Sequence, residues 1–360
     1  MKKYFAETGR GLNDNQISAI KIADAQDENF LQGILDELKK SDTEIFMGVR
    51  NGYFNLYCGG ASIGKFNFDD EKIINVEIHR KYIGENYSGY LILPVENSPF
   101  NFKKICDNVK SFNLNSPKRN LEKQLQQRLV MANNLSAVSA WYFIDIEYVM
   151  QRQNKYEPNF GRSDIVAISR RPIGGKYKLL MIELKIGSGS FSTDAKNFPS
   201  TKLTAEELLG DTRNFGSGIL GHFADFVRYK ADKIYNCGDG FKGRFTKLRG
   251  EVVNILENYS ALGILPYDIN LELEDIFDEP TLVFLIYGGD ISKLRIEQSF
   301  RRYVGGKACE NLGGESEHSV AKACDENFIA QIFDKNIKCI FRDNDLIFSD
   351  EGISEAVKIF

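Results

Sequence analysis

No stretch of this chain is apolar for long enough to cross a bilayer: the longest such runs, 179–182 and 282–287, fall far short of the ~20 residues a spanning helix needs. Behind the N-terminal MKKYFAETGR comes no apolar run of the kind a secretory leader carries, so the expected location is the cytoplasm. Cysteine is sparse and scattered: Cys58, Cys106, Cys237, Cys309, Cys324 and Cys339 contain no CxxC pair. Free thiols in a reducing compartment are expected, and Cys309, Cys324 and Cys339 joined by His318 would be the zinc alternative. HExxH and EF-hand patterns are missing. Gly305-Gly306-Lys307 and the 187–190 stretch GSGS are followed by no GKS or GKT, which excludes a phosphate-binding loop; the serine spacing excludes a nucleophile elbow. There is no internal repeat and no low-complexity segment.

An excess of either charge is lacking too. The net charge of −4 by itself argues for no polyanionic partner, but the distribution is uneven. Basic residues gather at Lys118, Arg119, Lys123 and Arg128, at Arg162, Arg170 and Arg171, at Lys242, Arg244, Lys247 and Arg249, and at Lys293, Arg295, Arg301, Arg302 and Lys307, while acid concentrates in 268–279. Brought together by the fold, these groups would make a phosphate-binding surface; scattered, they are solvated faces.

With 360 residues the chain can bury a substantial core and hold two domains. A helix is expected over 27–40, followed by a β-meander of short aromatic or β-branched runs at 44–50, 53–58, 62–68 and 73–79, the first two separated by the hairpin dipeptide Asn51-Gly52. The polar run 113–117 then interrupts the chain, and Ser116-Pro117 reads as a helix start with Leu121, Leu125 and Leu129 marking one buried face. A boundary near 113 follows, dividing an antiparallel β-rich domain, 1–112, from a second domain, 113–360. The second domain reads as strands at 141–150, 164–169 and 177–186, a Gly/Ser/Thr-containing loop over 187–214, helices at 218–235 and 250–262, a strand at 281–287 and strand-like runs at 337–341 and 346–348. That succession belongs to an α/β (α+β) class with one mixed central sheet flanked by helices.

The triplet Glu183-Leu184-Lys185 means nothing as a bare motif, since Glu37-Leu38-Lys39 has the same letters in a helical context. The second copy, however, ends a strand that is apolar on both faces, as a central, doubly covered strand is. Alternation sets Leu179, Met181, Glu183 and Lys185 on one side, so the charges extend a buried face. A turn centred between Ile173 and Gly174 would pair 164 with 183 and bring Asp164 opposite Glu183. Like charges so opposed destabilise a sheet unless something bridges them. Two carboxylates with a lysine alongside suit a hard divalent ion; the other reading is an ordinary Glu183–Lys185 ion pair with Asp164 capping a turn.

On Gly161-Arg162-Ser163-Asp164, the apolar hairpin, Ile182-Glu183-Leu184-Lys185 and a preceding helix carrying Glu122, the stretch 117–290 resembles the restriction-endonuclease-like PD-(D/E)XK nucleases. Two departures are visible: Ser163 stands where the proline of the family's name would be, and His222 stands about where many members carry glutamine.

The resemblance implies a mixed sheet flanked by helices, with Asp164 and Glu183 as magnesium ligands, manganese substituting. It implies Lys185 as the group that orients and activates the attacking water, and Glu122 as an auxiliary ligand. His222 and Arg162 are candidates for substrate contact. The expected activity is metal-dependent hydrolysis of DNA phosphodiesters, as an endonuclease in restriction or antiviral defence, with the N-terminal domain serving recognition, regulation or oligomerisation and a homo-oligomer as the default assembly. The alternatives are a nuclease-like module that binds nucleic acid without cutting it, and an RNA or structure-specific nuclease.

Overall fold

The computed structural model describes residues 9–69, 72–84, 88–115, 121–149, 161–186, 222, 225, 240–265, 271–277, 279–287, 337–342 and 346–349. The first helix, α1 (Asp14–Ala25), was not expected from the sequence. It opens on a capping box in which Asn13 Oδ1 accepts from Gln16 N at 2.8 Å and Gln16 Oε1 accepts from Asn13 N at 3.0 Å. The helix expected over 27–40 is helical only in α2 (Ile34–Lys39). Glu28 at φ +56° and Gly33 at φ +71° take left-handed conformations that an α-helix does not contain.

The meander expected next is present, as β1 (Ile45–Val49), β2 (Tyr53–Cys58), β3 (Ala61–Asp69) and β4 (Lys72–His79), each antiparallel to its neighbour. Asn51-Gly52 makes the first turn, with Gly52 at φ +70° and Arg50 N bonded to Tyr53 O at 2.8 Å. A fifth strand, β5 (Tyr90–Pro94), follows a 3-10 turn and completes a sheet ordered β1-β2-β3-β4-β5. Its inner face centres on Phe54 stacked on Phe66 at 4.6 Å, with Phe30 set edge-on to Phe66 at 5.5 Å. Helix α3 (Phe102–Asn115) carries the chain past residue 113, and Ser116 and Pro117 lie outside the described residues.

Helix α4 (Leu121–Leu135) departs from its leucine pattern. Leu121 is exposed and Leu125 half-buried, while the buried face carries Gln126, Gln127, Leu129, Val130, Asn133 and Asn134. The reason is hydrogen bonding: Gln127 accepts from Gly60 N at 2.6 Å and donates to Glu44 O and Tyr57 O, and Asn134 pairs both ends of its amide with Phe143. These amides satisfy backbone groups that no ladder reaches.

The remaining elements are β6 (Trp141–Val149), β7 (Arg162–Ser169), β8 (Leu179–Ile186), α5 (Gly240–Leu262), β9 (Thr281–Tyr287) and β10 (Ile337–Arg342). The second sheet runs β10-β9-β8-β7-β6. Strands β8, β9 and β10 are mutually parallel. Too few residues join β7 and β8 for a crossover, so those two run antiparallel and the sheet is mixed. The class is α+β. Residues 346–348, expected as a strand, have no regular structure, although Phe348 is buried. Of the helix expected over 218–235 only His222 and Asp225 are described, both helical; the loop 187–214, His318, Cys309, Cys324 and the basic run 293–307 lie outside the described residues.

By internal contacts the chain forms two compact units, one of Met1–Ile146, Ile168–Tyr177 and Thr246–Phe277, the other of Glu147–Ala167, Lys178–Phe245 and Asp278–Phe360. Those lines differ from a single cut at residue 113. The first unit holds a buried charge network: Arg10 and Arg50 both bond the Asp145 carboxylate, and Arg10 Nε lies 4.0 Å from Glu251. Arg50 also donates to Ile146 O at 2.7 Å and to the Tyr57 hydroxyl at 3.0 Å. Asn258 bonds both N and O of Leu12, and the buried Tyr259 hydroxyl donates to Met47 O. Burial and Tyr142 hold the Tyr259 hydroxyl well above its ordinary pKa, so it remains a donor.

Candidate functional site

Strand β8 is buried from Leu179 to Lys185, and its apolar positions recruit parallel pairing with β9, where Glu183 lies beside Phe284 and Lys185 beside Ile286. Being two apart, Glu183 and Lys185 fall on one face. The two residues are 1% and 4% exposed, and Lys185 Nζ donates to Glu183 Oε1 at 2.6 Å. A charged pair this deeply buried persists only when each partner answers the other, because desolvation penalises both.

A third group meets the same oxygen. His222 Nε2 stands 3.1 Å from Glu183 Oε1, within donating distance. One carboxylate thus gathers a lysine two residues on and a histidine from a separate helix. Three residues beyond His222, on the same helical face, is Asp225, 6% exposed, whose Oδ2 lies 2.7 Å from where a Cβ on Gly161 would be. Gly161, at φ +72°, opens the path into β7, and no other residue type fits that close approach without a shift.

Along β7 the side chains divide. Asp164 is half-buried and its Oδ2 accepts from Leu184 N at 2.8 Å, which fixes its carboxylate beside the Glu183–Lys185 stretch. Ser163 is fully buried and its hydroxyl lies 3.1 Å from both Ile165 O and Ile182 O. Serine there links the two strands, which proline would not do. Arg162 is exposed and 3.8 Å from Glu147 of β6.

The turn between β7 and β8 is centred one residue later than expected. Ile173 bridges Lys176, with Gly174 and Gly175 at φ +69° and +87°, a geometry that glycine adopts freely. Continued outward, that pairing would set Asp164 opposite Lys185. Tyr177 breaks the continuation: its N bonds Asp275 O at 2.8 Å and its O accepts from Phe277 N at 2.9 Å. Asp164 then meets the backbone of Leu184, next to Glu183.

The structure therefore brings together Asp164, Glu183, Lys185 and His222 in the second unit. Glu122 is half-buried in the first turn of α4 and belongs to the first unit. Asp225 escaped the sequence reading, although the HFAD spacing of His222 and Asp225 was the available signal for it; for Ser163 the sequence showed the position but not the hydroxyl's link between two strands. Arg170, counted among the basic clusters, caps the end of α4 by donating to Ser136 O, Asn133 O and Asn134 O. Arg249 likewise bonds Leu273 O and Ile276 O.

Among the described residues no three His, Cys, Asp or Glu side chains converge as a ready-made metal-binding group. The oxygen donors present are the Asp164–Glu183 pair. Magnesium is commonly held by one or two carboxylates, waters and substrate phosphate, so two carboxylates of this kind fit a hard divalent ion. No helix among the described residues is long and apolar enough to cross a membrane. No protein-family model matches the chain, and comparison with the curated proteins and with the solved structures returns no match.

Proposed function

We propose that this protein is a metal-dependent nuclease of the PD-(D/E)XK type acting on DNA, with Asp164, Glu183 and Lys185 as its catalytic residues. The observation that carries the reading is the buried Glu183–Lys185 pair at the end of a doubly flanked core strand, with the Asp164 carboxylate held alongside by Leu184 N. A strand interior has no structural use for charge at this depth, and hydrophobic residues of similar volume would serve folding at least as well.

Asp164 and Glu183 would hold magnesium or manganese, and the ion when bound would supply a Lewis acid for the phosphoryl oxygens and an acidified water. Lys185 sets a positive charge beside the attacking water and the charge that develops on the phosphate. His222, at Glu183 Oε1, orients that carboxylate. Arg162, exposed two residues before Asp164, is suited to a substrate phosphate. Restriction or antiviral defence in the cytoplasm is the biological setting we infer.

The test is cleavage of linear, supercoiled and single-stranded DNA and of RNA, with magnesium or manganese, by the intact chain and by Asp164→Ala and Lys185→Ala. The expected outcome is metal-dependent DNA cleavage that falls by about a hundredfold or more in each variant. RNA as the better substrate would redirect the reading to a ribonuclease. No cleavage of any substrate, with nucleic acid bound equally by all three proteins, would sink it in favour of a non-cutting module.

A further inference from the structure

Strand β5 is the last strand of the first sheet, and its outer edge is chemically unusual. From Gly89 to Val95 it carries no charged side chain, yet Tyr90 is 64% and Ile92 63% exposed. Edge strands that remain single are ordinarily blunted by charge, a bulge or a covering element.

The direction of its peptide groups can be read from its two ends. Gly89 O accepts from Arg80 N at 3.0 Å, and Val95 O accepts from Phe30 N at 2.9 Å, so both are turned inward to their own chain. Peptide groups alternate along a strand. Leu91 and Leu93 therefore point to β4, and Tyr90, Ile92 and Pro94 present theirs to the outside. Pro94, which has no N–H to give, sits at an outward position where it removes no bond from the β4 ladder.

We propose that this edge is a homodimer interface, in which two copies of the chain pair β5 antiparallel about a two-fold axis at Ile92. The partner is argued from self-complementarity. The axis sets Ile92 against Ile92 of the second copy, exchanging both N–H to O=C bonds, and sets Tyr90 against Pro94. Tyr90 N donates to the Pro94 carbonyl, and the missing Pro94 N–H falls at the end of the ladder. The same residues meet side by side on the exposed face, Ile on Ile and Tyr on Pro, and no like charges are brought into opposition. The sheet's other edge, β1, is buried along its whole length, so pairing through β5 closes at two copies and does not propagate. The inference is independent of the nuclease reading.

The test is sedimentation equilibrium of the full chain and of Ile92→Lys, with circular dichroism as a check of folding, together with a short bismaleimide cross-linker on Ile92→Cys. Val138→Cys, at a position 72% exposed in the turn between α4 and β6, and the unaltered chain are controls for cross-linking. Expected are a wild-type dimer at micromolar concentration, at least roughly tenfold weaker association of Ile92→Lys from two ammonium groups opposed at the axis, and cross-linking of Ile92→Cys alone. A monomeric wild type, or a dimer that Ile92→Lys leaves intact and that Ile92→Cys does not cross-link, would overturn the proposal.

Discussion

A lysine and a glutamate, both almost wholly buried, hold each other in place at the end of β8. Removing one partner leaves the other as an uncompensated charge in a low-dielectric interior, which costs about 3–5 kcal/mol. Lys185→Met is therefore expected to lower the urea unfolding free energy by about that much, and the loss of cleavage that the proposed nuclease function implies must be measured well below the unfolding midpoint. Replacing both, as Glu183→Leu with Lys185→Leu, removes the desolvation burden together with the attraction and is expected to fold as stably as the unaltered chain or more so, and on the proposed function to be inactive. A double variant as unstable as the single one would show that the pair serves the fold and not the chemistry. At this scale the buried charges were legible, because a charged triplet at the end of an otherwise apolar run conflicts with the pattern around it. What was not legible was the company they keep. The contact of His222 with Glu183 and that of Asp225 with Gly161 join residues 39 and 64 positions apart in the chain, and no local pattern encodes such a pairing.

Elements differ in how far their own residues decide them. The hairpins of the first sheet follow from Asn51-Gly52 and Gly59-Gly60, because left-handed backbone is available mainly to such residues. Gly60 shows how a turn becomes tied to tertiary structure: at φ +78°, a Cβ there would lie 2.5 Å from Gln124 N of α4. Gly60→Ala thus combines backbone strain with a collision against the helix and is expected to destabilise by about 2–4 kcal/mol. Gly84, at φ +81° with nothing within 4 Å of the same position, supplies the comparison, since Gly84→Ala should show only the strain, about 1–2 kcal/mol. Equal losses in chemical denaturation would contradict the packing argument. Helix α4 ran against its sequence pattern for the opposite reason. Its leucine spacing pointed to one face, but Gln127 and Asn134 reach backbone carbonyls of other elements, and unmet buried polar groups outweigh the burial of an end leucine.

For the molecule as a whole, the first unit is assembled from three separate stretches of chain, and Asp145 is the centre of its buried charge network. It answers Arg10 from near the N-terminus and Arg50 from the end of β1, with Glu251 of α5 close to Arg10. Asp145→Ala would strand two buried guanidinium groups, and a loss of about 3–5 kcal/mol is expected. Thermal or urea unfolding that moves by less than ~1 kcal/mol would mean that water reaches the arginines.

By itself the sequence determined the local matters: the α+β class, the meander with its glycine turns, the apolar β8 and β9, and the charged residues that end β8. These rest on alternation, turn chemistry and the length of apolar runs, all read within a window of a dozen residues. The tertiary structure decided the rest. It placed the turn on Gly174-Gly175 and drew Tyr177 across to Asp275, and it set Asp164 against the backbone of Leu184. It also brought His222 to Glu183 and left an uncharged strand at the edge of the first sheet. Each of these depends on pairing between distant segments, whose free energy comes from burial and hydrogen bonding that exist only once the chain has folded.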